Sequence, residues 1–63
     1  MDKPYKGQID NWEIALSPSG DSKVVYGTHE SSGNHIRTSS IVSINGNLVE
    51  TRNSYYTLGK ARI

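Results

Sequence analysis

Apolar and polar residues alternate along this chain in short stretches separated by turn formers. Trp12, Ile14 and Leu16 alternate with Glu13 and Ala15, the period of a strand with one face in a core. No helical i, i+3, i+4, i+7 stripe runs through residues 8–16. Ser17-Pro18-Ser19-Gly20-Asp21 ends that strand with a cluster of turn residues. Lys23-Val24-Val25-Tyr26-Gly27-Thr28 is β-branched and aromatic, with Val24, Tyr26 and Thr28 on one face. A polar loop, His29–Asn34, follows, and alternation then runs from Ile36 to Ile44 as one long strand.

Asn45-Gly46 between β-rich flanks predicts a type I′ hairpin, because both central residues of that turn need positive φ. The resulting register sets Ile44 opposite Asn47, Val42 opposite Val49 and Ser40 opposite Thr51. Arg52-Asn53-Ser54 is a second turn candidate, since Asn tolerates left-handed geometry. If it turns, Leu48–Thr51 and Tyr55–Leu58 are separate strands closed by Gly59; if not, residues 48–58 form one strand. The expected fold is all-β, about five short antiparallel strands in a meander that curls or closes into a small SH3-like barrel. Residues 1–6 are expected to be loose, and 7–63 to form a single domain. Trp12 anchors the expected core, with Ile14, Val24, Tyr26, Val42 and Val49.

Composition sharpens this picture mainly by exclusion. The 63 residues are 33% hydrophobic and contain no cysteine, so neither a disulfide nor a thiolate zinc site can supplement the core. Apolar runs are short, such as Val24-Val25 and Leu48-Val49, and none can span a membrane. The start, MDKPYKGQ, lacks the apolar stretch of a signal peptide, and a cytoplasmic location is expected. Both faces of the long hairpin carry apolar residues: Ile36, Val42 and Ile44 on one, Ile41 and Leu48 on the other. Either the sheet curls or a second copy covers the remainder, and a homodimer is expected.

Catalytic and metal chemistry find no foothold. Neither Gly-rich phosphate motif is present. His29 and His35, with Asp21 and Glu30 nearby in sequence, match no metal-ligand spacing and read as exposed loop histidines. Ser39 or Ser40 beside His35 lacks the reach of a nucleophile–base pair along one strand. Asp10 and Glu13 have opposite pleat parity and cannot pair as acid and base. No enzyme activity, cofactor or metal is expected.

Cations and aromatics offer more. In the predicted register Arg37 faces Ser54 and Ser39 faces Arg52, so both arginines share a face, which Tyr56 joins if the strand runs straight. Lys60 and Arg62 lie just beyond. Guanidinium groups beside an aromatic ring suit an acidic protein surface or a nucleic-acid strand. Ordinary solvent-face decoration by the same residues is the competing reading. A net charge of +1 favours a protein partner over nucleic acid.

The segment HIRTSSIVSINGNLVETRNSYYTLG, residues 35–59, resembles a pattern in short uncharacterised bacteriophage and prophage proteins. The matching residues are Ile36, Thr38, Ser39, Ile41, Val49, Thr51, Asn53, Tyr56, Leu58 and Gly59, with Trp12 and Gly27 upstream. The resemblance carries no activity; it implies an accessory protein in the cytoplasm of an infected or lysogenic bacterium. The expected function is therefore binding, with Arg37, Arg52, Tyr56, Lys60 and Arg62 as the contact residues. The target is a host or phage protein, such as a defence or transcription complex. The alternatives are a nucleic-acid-binding β-barrel and a nucleotide or small-molecule binder at an oligomer interface.

Overall fold

A computed structural model describes residues 3–62 and contains six strands and no helix. These are β1 (Tyr5–Leu16), β2 (Lys23–His29), β3 (His35–Arg37), β4 (Ile41–Asn45), β5 (Leu48–Thr51) and β6 (Tyr55–Leu58). They form one mixed sheet in the order β3-β2-β1-β6-β5-β4. Two antiparallel meanders, β1–β2–β3 and β4–β5–β6, are joined where β1 runs parallel to β6. The all-β expectation holds, but the simple antiparallel meander does not. The sheet is also open, with β3 and β4 as its edges, rather than closed into a barrel.

The segment expected as one long strand splits at Thr38–Ser40, because side chains there replace ladder partners. Thr38 donates its backbone N–H to the Val25 carbonyl, while its hydroxyl oxygen accepts the Val25 N–H, each at 3.0 Å. Two residues on, the Ser40 carbonyl accepts the Arg52 N–H at 3.0 Å, and its hydroxyl meets that of Ser22 at 2.7 Å. One stretch of chain thus serves β2 and then β5, and the sheet curls about this corner until β2 touches β4.

Ile9, Val25, Val49 and Leu58 form the core on the inner face, and Trp12, Ile36, Ile41 and Tyr56 pack against it. Ile9 and Trp12 differ in parity and would face opposite sides of a regular strand. An irregularity between Asp10 and Glu13, with Asn11 at φ +50°, inserts one residue and resets the pleat, so both side chains turn inward. Three expected core residues lie elsewhere. Ile14 is exposed, beyond the end of the core; Tyr26 is half-buried on the outer face; Val42 is 56% exposed. A register shift between Ile41 and Ser43 leaves Val42 without a partner on β5 and sets Ile41 opposite Thr51.

The hairpin also differs from expectation. Asn45 pairs with Leu48, which makes Gly46-Asn47 the two-residue loop. Positive φ occurs at Gly46 (+64°) and not at Asn47, as in a type II′ turn. The second candidate does turn, and β5 and β6 have the bounds read from the sequence. Of the segment expected to be loose, Lys3–Lys6 is tied down. The Lys3 ammonium donates to Glu50 and to the Thr51 carbonyl, and the Pro4 carbonyl accepts the Tyr55 N–H. Residues 1 and 2 lie outside the described residues.

Candidate binding site

The outer face of the first meander carries Arg37, and the chain after β6 brings Arg62 beside it. Cross-strand pairing sets Glu13 opposite Tyr26 and Tyr26 opposite Arg37, forming a row across β1, β2 and β3. The chain after β6 extends the row. Ala61 bridges to Trp12, the Arg62 N–H reaches the Trp12 carbonyl at 2.9 Å, and the Arg62 guanidinium meets Glu13 at 2.9 Å. The result is a sequence of Arg62, Glu13, Tyr26 and Arg37 across one surface.

Two depressions flank this row. A cavity of about 420 Å³ lies beside Arg37 and Arg52, lined further by Ser17, Ser22, Ser39 and Ser40. Arg52 is brought there by a locked turn. The Thr51 hydroxyl donates to the Ser54 carbonyl at 2.9 Å and accepts the Ser54 N–H at 3.1 Å, both buried. Backbone N–H groups of Arg52 and Asn53 then bond Ser40 and Ser39, which pins the turn to the corner after Arg37. Neither arginine has an ion-pair partner among the described residues. Two guanidinium groups with no ion-pair partner among the described residues are suited to carboxylate or phosphate oxygens.

The larger cavity, about 660 Å³, is bounded by Tyr26 and Ile36 on one side and by Lys60 and Arg62 on the other. Arg37 borders the first depression and its cross-strand partner Tyr26 borders the second, so the two adjoin.

Tyr56 stands apart from the other four expected residues. It lies opposite Val49 and packs against the core, so its ring serves the interior. Tyr26 takes its place as the aromatic beside an arginine. A signal for this was present in the sequence: Gly27 has the parity of Val25, and glycine within a strand marks close approach of another backbone. That assigns Val25 and Gly27 to the packed face and Tyr26 to the other.

His29 also departs from expectation. It is half-buried at the end of β2, with Nε2 at 2.5 Å from the Lys6 carbonyl and Nδ1 at 2.9 Å from the Ser31 hydroxyl. Both ring nitrogens are thus engaged by protein groups. His35 is exposed at the start of β3.

No protein-family model, curated protein or solved structure matches the chain. Among the described residues, no helix is long and apolar enough to cross a membrane.

Proposed function

We propose that this protein is a small binding module that engages an acidic segment of a protein partner through the Arg37–Arg52 groove. The observation carrying this reading is that two arginines from separate elements line one groove, and neither is neutralised by a carboxylate among the described residues. Unpaired guanidinium groups held by an ordered turn and a strand end form bidentate bonds to carboxylates at low entropic cost. The proposed setting is that of a phage-type accessory protein in a bacterial cytoplasm. It would inhibit a host complex by covering an acidic surface, with no chemical step.

Single-stranded nucleic acid is the competing occupant, because Tyr26 beside Arg37 resembles a base-stacking platform. The near-neutral net charge favours the protein. Affinity capture from a bacterial lysate, run with the native chain and with the Arg37→Glu/Arg52→Glu double variant, tests the reading. A protein retained by the native chain and weakened at least tenfold in the variant is expected. Retention unchanged by the double substitution removes the groove from the function. A single-stranded dT oligomer bound tightly at low salt, with affinity falling steeply as salt rises, assigns the groove to nucleic acid instead.

A further inference from the structure

We propose that the larger cavity, between β1, β2, β3 and the segment after β6, is a separate site for adenosine monophosphate. Its volume of about 660 Å³ lies within the range of small-ligand sites, about 300–1,000 Å³. The walls divide by chemistry. Tyr26 offers an aromatic surface, while Lys60 at the opposite side brings an ammonium with no ion-pair partner among the described residues. Arg62 is already engaged with Glu13, so Lys60 is, among the described lining residues, the lysine or arginine free to meet a ligand anion. A planar ring carrying an anionic group satisfies both walls.

Asn11 narrows the choice of ring. The residue inserted in β1 holds Asn11 at φ +50°, exposed and on the cavity lining. Such insertions re-aim side chains beside sites, and left-handed backbone at a non-glycine residue is retained where surrounding structure enforces it. The Asn11 amide has no hydrogen-bond partner among the side-chain bonds of the described residues, leaving its donors and acceptor for a ligand. A carboxamide pairs bidentately with the N6 and N7 edge of adenine. Adenine against Tyr26, its edge toward Asn11 and its phosphate toward Lys60 use the three features together.

Trp12 provides the readout. It is the only tryptophan, it bridges to Ala61, and its indole N–H donates to the Gly59 carbonyl at 3.0 Å. Titration of the full chain with AMP is expected to change Trp12 emission saturably. It should also shift the amide resonances of Asn11, Tyr26, Gly27 and Lys60. Adenosine, lacking the phosphate, and UMP, lacking the N6/N7 edge, are each expected to bind at least tenfold more weakly. Lys60→Ala should cut AMP affinity at least tenfold with resonances elsewhere unmoved, because the backbone of residue 60, not its side chain, bonds to β1. Arg37→Glu/Arg52→Glu should leave AMP affinity within twofold, which separates this site from the neighbouring groove. No resonance shift at millimolar AMP overturns the proposal. So does equal affinity for AMP and UMP, or an AMP affinity that Lys60→Ala leaves unchanged.

Discussion

At Gly27 the irregular stretch of β1 presses against β2. A Cβ built there would lie 2.8 Å from the Asp10 carbonyl oxygen and 3.1 Å from the Trp12 Cα, and would overlap the Ile9 side chain. Two of those neighbours are backbone and cannot swing away. Gly27→Ala is therefore expected to destabilise the fold by about 2–3 kcal/mol, the upper range for overpacking. Chemical denaturation checks this; a loss below about 0.5 kcal/mol, the level of an ordinary surface substitution, would contradict it. Glu50 gives a second residue-level test. Its carboxylate accepts a 2.6 Å bond from the Lys3 ammonium, which holds its pKa below the ordinary 4.5, with Lys3's charge and the Ser43 hydroxyl acting in the same direction against partial desolvation. A carboxyl depressed in the folded state contributes stability above its unfolded pKa, and that contribution disappears as pH falls through the folded value. Thermal midpoints measured between about pH 5 and pH 3 should thus fall more steeply for the native chain than for Glu50→Gln. Parallel curves for the two proteins would show that the Lys3 bond contributes nothing measurable.

Among the elements, the turn joining β5 and β6 decides where Arg52 stands. Thr51 is fully buried, and its hydroxyl both donates to and accepts from Ser54. Thr51→Val keeps the shape but strands the Ser54 N–H, a loss of about 1–3 kcal/mol for an unsatisfied buried donor. Thr51→Ser retains the hydroxyl and should recover most of the loss. Stability measured for this pair checks the role of the oxygen; a Thr51→Val protein as stable as the native chain, with the loss confined to Thr51→Ser, would assign the role to the methyl group instead. Local chemistry of this kind was legible in the sequence, since Arg52-Asn53-Ser54 carries its own turn signal and the bounds of both flanking strands follow from it. The Gly46 hairpin was legible as a turn but not in register. Asn45-Gly46 and Gly46-Asn47 both supply a two-residue loop, and the choice between them rests on how Ile41 and Val49 meet the core. The break at Thr38–Ser40 was hidden for a different reason. Alternation continues through it, while the Thr38 side chain takes a place in the ladder with β2 that hydropathy does not record. The same limit applied to the site. Arg37 and Arg52 line one groove, yet across the corner and the turn rather than in the expected register, and Tyr56 was placed with them only by assuming a straight strand.

At the scale of the whole molecule, the parallel pairing of β1 with β6 sets the first and last strands side by side and leaves β3 and β4 as edges. Nothing local marks such a pairing, because its partners lie at opposite ends of the sequence. Its consequence is that the β4 edge carries Val42 and Ile44 in the open, 56% and 44% exposed, with no charged residue among Ile41-Val42-Ser43-Ile44-Asn45. Exposed edges without charge or proline are templates for another strand. The sequence of β4 is close to self-complementary: an antiparallel match centred on Ser43 would set Val42 opposite Ile44 of the partner subunit, with no like charges opposed. If the expected homodimer forms, this edge predicts its form, a β4–β4 junction that extends the sheet across a two-fold axis. Sedimentation at high micromolar concentration should give twice the 7.0 kDa chain mass. Val42→Lys places two ammonium groups near that axis and should shift the equilibrium to monomer by at least tenfold, without changing the unfolding midpoint of the monomer. A native chain that sediments as a monomer at these concentrations, or a dimer indifferent to Val42→Lys, would leave the β4 edge unpaired in solution.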